Sequence, residues 1–257
     1  MGVSQSQLKE LKNQIKSGFK ISDYNFENGN HNFILPSLER DWEITVPDSE
    51  DIQNYIRSEE FEKSRLIPKK FCFALLDIVG FSKHNDETQF KLLVRYQCEI
   101  RRALKGIICE KLISIGDGTI FVFAEREIPR VPDYLLSINH AIAGYNLDFS
   151  RDTGIDISIR IGVHVGNAYV FNDINGEKNY VGTGINLAQR VSTFVPTKLD
   201  RRRNFKANSP IYVSENAYQE FRKYCSDEEY SFWDAGDKED KHGNKIRCYA
   251  FHKITKV

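Results

Sequence analysis

The sequence predicts an α+β fold, an antiparallel-rich sheet in a βαββαβ layout with helices on one face, and three patterns predict it. From Ile155 to Val165 every odd position is Ile or Val and every even one is polar or glycine, the period of a strand with one buried face. Gly116-Asp117-Gly118 stands between apolar runs at 111–115 and 119–123, which reads as strand, tight turn, strand. Between these strands lie segments of helical period, so helices and strands alternate along one chain.

Taken in order, residues 4–17 carry Leu8, Leu11 and Ile15 on one helical stripe. The Asn-rich passage Asn25 to Asn32 reads as loop, and a second helix is expected after Pro47-Asp48, through Ile52, Tyr55 and Ile56. Residues 1–68 are therefore expected to be a helical and loop extension, and 69–257 the main domain. Phe71 to Asp77 is a short apolar strand that ends in an acid. Asp86 can cap a helix over 87–104 whose buried stripe would hold Phe90, Leu93, Ile100 and Leu104. Pro132-Asp133 opens a helix to about Leu147, a hairpin is expected through Asn175-Gly176, and Gly182 to Val195 reads as a helix followed by a strand.

Composition bounds the partners. Apolar residues make up 40% of the 257 and charged residues 28%, the balance of a globular protein with a proper core. Thirty-six basic residues offset 36 acidic ones, which gives no general electrostatic reason to expect nucleic acid or an anionic membrane as partner. No apolar run is long enough to cross a bilayer, and the polar start lacks a secretory core. The five cysteines are widely spaced with no Cys-x-x-Cys, so reduced thiols in a cytoplasmic protein are expected. The basic cluster Arg201-Arg202-Arg203 with Lys206 reads as a solvated loop.

Two acids sit where a metal site would want them. Asp77 ends a buried strand and Asp117 occupies a hairpin tip, each near glycine, which lets a phosphate approach the backbone. If strand and hairpin are sheet neighbours, both carboxylates emerge at one edge. So few ligands suit Mg²⁺ or Mn²⁺, which keep waters and take further oxygens from substrate phosphates. A plain turn acid is the alternative for Asp117. An acid directly after Phe73-Ala74-Leu75-Leu76 needs a charged partner or a metal. Asn186 and Arg190, spaced i, i+4, share one helix face and can hold a ribose oxygen and a phosphate oxygen together; a solvated face is the alternative.

Four segments, 76–82 (Leu-Asp-Ile-Val-Gly-Phe-Ser), 115–118 (Ile-Gly-Asp-Gly), 160–166 (Arg-Ile-Gly-Val-His-Val-Gly) and 181–190 (Val-Gly-x-x-Ile-Asn-Leu-Ala-x-Arg), resemble the signatures of class III nucleotidyl cyclases in order and spacing. The resemblance covers about Lys70 to Phe251 and implies a ferredoxin-like palm. It implies two divalent metals, Mn²⁺ or Mg²⁺, on Asp77, Asp117 and the carbonyl of Ile78. It also implies a homodimer with shared sites, Asn186 and Arg190 coming from the other chain. Phe81 would touch substrate, and a C-terminal lysine would hold phosphate, with Lys241 favoured over Lys238 and Lys245. His164 reads as structural.

The base-reading positions of the family fall on Ile113 and Asn179 here, where adenylyl cyclases carry Lys and Asp and guanylyl cyclases Glu and Cys. Ile113 cannot hydrogen-bond, and Asn179 offers one acceptor and one donor, a match for uracil, for cytosine, or in principle for adenine. A compact stand-alone cyclase with no membrane anchor or attached sensor expected, and with an altered base-reading pair, resembles the bacterial pyrimidine cyclases of Pycsar anti-phage systems. That resemblance implies UTP as the favoured substrate, cyclic UMP as messenger, and a cyclic-nucleotide-activated effector protein as partner. A cytidylate cyclase, a divergent adenylate cyclase and an inactive nucleotide-binding regulator are the alternatives.

Overall fold

A computed structural model describes residues 3–17, 21, 23–35, 42–64, 68–148, 154, 156–173, 175, 177–193, 210–239, 243 and 245–254 of the chain. The chain divides into two compact units, residues 1–69 with 168–182 and residues 70–167 with 183–257. Outside the described residues fall Ile155, Gly176, residues 194–195, the cluster Arg201-Arg202-Arg203 with Lys206, and Lys241.

In the first unit, helix α1 (Val3–Lys16) packs on a three-stranded antiparallel sheet of β1 (Asp23–Glu27), β2 (Asn30–Leu35) and β3 (Trp42–Pro47). Helices α2 (Glu50–Ile56) and α3 (Glu59–Ser64) follow, with Ser49 capping α2 through the Ile52 amide. Asn25 to Asn32 is thus a hairpin, not the expected loop. Its turn residues Asn28 and Gly29 both take positive φ (53° and 75°), as a two-residue turn of the twisted kind demands. The polar composition conceals an alternation: His31, Phe33 and Leu35 point inward while Asn32 bonds across the outer face to Asn25 and Thr45. Phe33, Leu35, Val46 and Ile52 close the core with Leu11 from α1.

The second unit is built on β4 (Lys69–Ile78), α4 (Asp86–Ala103), β5 (Lys111–Ile115), β6 (Gly118–Ala124), α5 (Val131–Asp148) and the first half of β7 (Ile159–Asn172). The residues of β7 from 168 on, with β8 (Lys178–Val181), count with the first unit. After β8 come α6 (Thr183–Ser192), β9 (Ile211–Ser214), α7 (Glu215–Phe221), β10 (Tyr230–Glu239) and β11 (Lys245–Lys253). Among the described residues the strand order is β10-β11-β9-β7-β4-β6-β5, with β8 paired to β7. The βαββαβ core β4-α4-β5-β6-α5-β7 is therefore present. The β7–β9 pairing is parallel, with Ile161 opposite Ile211.

Two readings shift. The clear strand begins at Ile159 rather than 155 and continues through Asn172, because β8 gives its second half a partner. In α4 the buried positions are Leu92, Tyr96 and Ile100, while Phe90 is 67% exposed. Two residues turn a helix by about 200°, so a stripe set by Leu92 leaves Phe90 facing away. The cap is Asn85, whose side chain accepts from the Thr88 amide, one residue before the expected Asp86.

The alternation of β7 positions everything else. Ile159, Ile161, Val163 and Val165 are buried with Ala74 and Leu76 of β4 in the core that α4 and α5 close. The intervening Arg160, Gly162, His164 and Gly166 lie on the opposite face, where α6 packs. A Cβ on Gly162 would fall 2.1 Å from the Ser192 amide nitrogen, and one on Gly184 would fall 3.0 Å from the Phe73 ring. Backbone therefore meets backbone at Gly162, and only glycine allows it.

Candidate active site

Asp77 stands one residue from the end of β4, opposite Gly118 of β6. Gly116 and Asp117 are the two turn residues between β5 and β6, with Ile115 facing Gly118. The positive φ belongs to Gly116 (69°), so the turn centres on Gly-Asp rather than Asp-Gly. Gly118 permits a close approach of strands, since a Cβ there would lie 2.9 Å from the Leu76 carbonyl oxygen. That approach of β4 and β6 brings the Asp77 and Asp117 carboxylates within direct interaction of each other. The expected convergence of the two acids at one sheet edge is what the fold produces.

The charged partner that Asp77 requires is Arg160, its neighbour on β7, whose guanidinium forms an ion pair with the carboxylate. Burial raises the Asp77 pKa above the usual carboxylate range, Arg160 pulls it down, and the Asp117 charge pushes it up again. The Arg160 Nε is buried with no hydrogen-bond partner. In the sequence Arg160 is one letter of a motif, with no role of its own. The available signal was its even position on a strand whose odd face is core.

After Ile78, Gly80 takes φ 73° and turns the chain into a short 3-10 segment, Phe81–Lys83. The Ile78 side chain is buried in the core, so only its backbone carbonyl is available to a ligand. Phe81 is half-buried and packs on the edge of that core. Ile113 pairs with Ile120, which in turn faces Leu75. By the two-residue period of a strand, Ile113 shares the sheet face of Asp77. Nothing on that side chain can hydrogen-bond.

Asn186 and Arg190 form the second group, one turn apart on α6, with Asn186 exposed and Arg190 half-buried. Gly184, Ala188 and Val191 make the buried side of that helix. Asn179 lies on β8 opposite Phe171, and its Oδ1 accepts from the Tyr180 amide at 2.8 Å. That bond uses one of the two lone pairs of Oδ1, so the side chain can still accept as well as donate. His164 is buried, bonded to Ser214 Oγ at 2.8 Å, and burial holds its pKa down to about 4. It is structural. Of the C-terminal lysines, Lys245 starts β11 opposite Glu239.

The donor set suits Mg²⁺ or Mn²⁺. Two carboxylates and one backbone carbonyl leave several coordination positions to water and phosphate oxygens, as these ions prefer. Among the described residues no cluster of three or more His, Cys, Asp or Glu offers a denser metal site.

No family model matches the chain, and no curated protein matches it. Solved structures do. The adenylyl cyclase CyaB from P. aeruginosa superposes with a TM-score of 0.58 at 18% identity, over 74% of this chain and 96% of CyaB. The chain has the nucleotidyl cyclase fold. The guanylate cyclase domain of RhGC from Catenaria anguillulae, solved with GTP, gives 0.54 at 21% identity over 73% of this chain and 98% of that domain. The guanylyl cyclase Cya2 gives 0.55 at 14% identity, covering 74% and 94%. On this cyclase fold, no helix among the described residues is long and apolar enough to cross a membrane.

Proposed function

We propose that the chain is a nucleotidyl cyclase that converts a nucleoside triphosphate to a 3′,5′-cyclic nucleotide and pyrophosphate. The observation that carries this reading is the convergence of Asp77 and Asp117 at one edge of a cyclase-fold sheet. Asp77, Asp117 and the Ile78 carbonyl would hold two Mg²⁺ or Mn²⁺ ions. When bound, such ions lower the pKa of a ribose 3′-hydroxyl and neutralise the triphosphate during in-line displacement at the α-phosphorus. The 3′-oxygen bonds to that phosphorus, the bond to the β-phosphate oxygen breaks, and the hydroxyl proton passes to solvent.

The chain's own residues divide the remaining work. Arg160 neutralises Asp77 in the free protein and, with that carboxylate on a metal, would be a cation available to the phosphates. Asn186 orients the ribose and Arg190 meets charge developing on the phosphoryl oxygens. Both come from the second chain of a homodimer, and Lys241 binds the departing phosphates.

The favoured substrate is UTP, with cyclic UMP switching on an effector protein in a Pycsar-type defence. Two features support a pyrimidine. Ile113 removes one polar reader of a purine. Asn179, whose Oδ1 accepts from the Tyr180 amide, keeps a second lone pair on that oxygen and a free amino group, one acceptor and one donor. That pair matches O4 and N3–H of uracil and, with the amide flipped, N3 and the N4 amine of cytosine.

The test is incubation of the pure protein with Mn²⁺ and each of ATP, GTP, CTP and UTP, with products identified by mass. Cyclic UMP is expected. Cyclic AMP or cyclic GMP alone would keep the chemistry and overturn the pyrimidine reading. No product from folded protein would overturn the cyclase reading.

A further inference from the structure

Helices α1 and α2–α3 of the first unit border an open cleft of about 640 Å³. One wall is Lys9, Lys12 and Lys16 of α1, spaced i, i+3, i+7 and so on a single face. The facing wall carries Asp51, Asn54 and Glu60. Among the described residues the two walls are not joined by ion pairs, and none of the three lysines meets a carboxylate. Elsewhere in the described chain lysines do so readily: Lys70 with Glu220, Lys91 with Glu87, Lys223 with Glu220 and Lys253 with Asp133. The Lys12 ammonium instead lies 4.8 Å over the buried Tyr55 ring, a contact that holds its position without using up its N–H donors.

Three ammoniums on one face of a helix, none of them ion-paired among the described residues, make one wall of a concavity of small-molecule size positive, with Asp51 and Glu60 on the wall opposite. The opposite wall decides what fits. Asp51 and Glu60 would repel a flat anionic membrane, while a carboxylate beside an amide accepts from, and donates to, the edge of a heterocyclic base. We propose that this cleft binds a soluble nucleotide, its phosphates on Lys9, Lys12 and Lys16 and its base edge toward Asp51 and Asn54. The site lies wholly within residues 5–60 and does not depend on the cyclase reading.

Calorimetric titration of the full chain with ATP, GTP, CTP and UTP in EDTA tests this, because without divalent metal the Asp77–Asp117 site loses its hold on a triphosphate. At least one nucleotide is expected to bind, with affinity unchanged in Asp77→Ala and at least tenfold weaker in the triple variant Lys9→Ala, Lys12→Ala, Lys16→Ala. The three lysines are surface residues outside the core, and circular dichroism checks that the variant is folded. Lys12→Arg, which keeps charge and ring contact, is expected to retain binding. Absence of binding by all four nucleotides overturns the proposal. So does binding that disappears in Asp77→Ala and survives in the triple-lysine variant. Production of a cyclic nucleotide with Mn²⁺ is read separately, so failure here and failure of the cyclase reading are distinct results.

Discussion

The two faces of β7 are made from the same strand and do opposite work. One face presents Ile159, Ile161, Val163 and Val165 to the core beneath α4 and α5. The other presents Arg160, Gly162, His164 and Gly166 to α6 and the acidic edge. The first is bulky, redundant and tolerant, since many side chains share one buried volume. The second has little spare space: Gly162 admits the backbone of α6, Gly166 leaves room for the His164 ring, an arginine answers Asp77, and a histidine answers Ser214. Stability is spread over one side of the sheet and geometry is concentrated on the other. Substitutions on the two faces therefore differ in kind as well as size.

The sharpest break is Gly162→Val. A Cβ alone would sit 2.1 Å from Ser192 N and 2.7 Å from the Ala188 carbonyl oxygen. Neither backbone atom can move without lifting α6, so a loss of more than about 4 kcal/mol is expected, read as failure of cooperative thermal unfolding. Next comes Asp77→Asn, on the same face. The amide preserves shape and still accepts from Arg160 but removes the charge a metal needs. Cyclase turnover should fall about a thousandfold, or about 4 kcal/mol, while the melting temperature in EDTA stays close to wild type. Asp77→Ala mixed with Arg190→Ala should regain part of the activity through one intact shared site. A mixture that stays inactive while both variants fold and dimerise would falsify the shared-site arrangement.

Much of this was legible in the sequence, and the reasons differ by region. The odd-position run in β7, the acid ending β4 and the Gly-Asp-Gly turn are patterns of short range, fixed by period and by backbone conformation. They gave the layout, and the structure joins Asp77 and Asp117 as they imply. The Asn28-Gly29 turn was equally short in range, but surrounding polar residues hid an alternation whose inward members include His31. His31 is buried only because Tyr24 and Asp48 satisfy its two ring nitrogens, at 2.9 Å each, and such partners are invisible until the chain folds. The Arg160–Asp77 pair is of that second type: 83 residues separate the partners, and only the order of strands makes them neighbours. The Tyr180 amide that takes up Asn179 Oδ1 is a further case, set by local rotamer rather than by residue type.

His164 supplies a test of the same face by pH. Burial lowers its pKa from the ordinary 6.5 to about 4, so the folded protein holds the ring neutral where the unfolded chain would already bind a proton. With the folded value depressed, the full stability is present above pH 6.5, drains as pH falls through the window from 6.5 to 4, and loses nothing further below it. A depression of this size corresponds to about 3 kcal/mol. Chemical denaturation from about pH 7.5 to about pH 4 should show that slope in the wild type and a shallower one in His164→Gln, whose amide can still bond Ser214. Equal slopes would mean that the ring is not kept neutral.

The smallest effect is expected one residue away from the largest. Ile161 is fully buried, but the core it belongs to is rich in Val, Leu and Ile side chains that can relax around a missing methylene. Ile161→Val keeps the β-branch that a strand favours and removes one carbon, at a cost of about 1 kcal/mol. Turnover and metal dependence should be unchanged, because the Asp77–Arg160 pair and the Gly162 contact both lie on the other side of the backbone. If Ile161→Val altered turnover as Asp77→Asn does, the separation of the faces would fail, since a methylene lost beneath α4 and α5 would then be moving groups beneath α6. If it cost several kcal/mol with turnover intact, the core face would be as exacting as the glycine face, and redundancy would not be what distinguishes them.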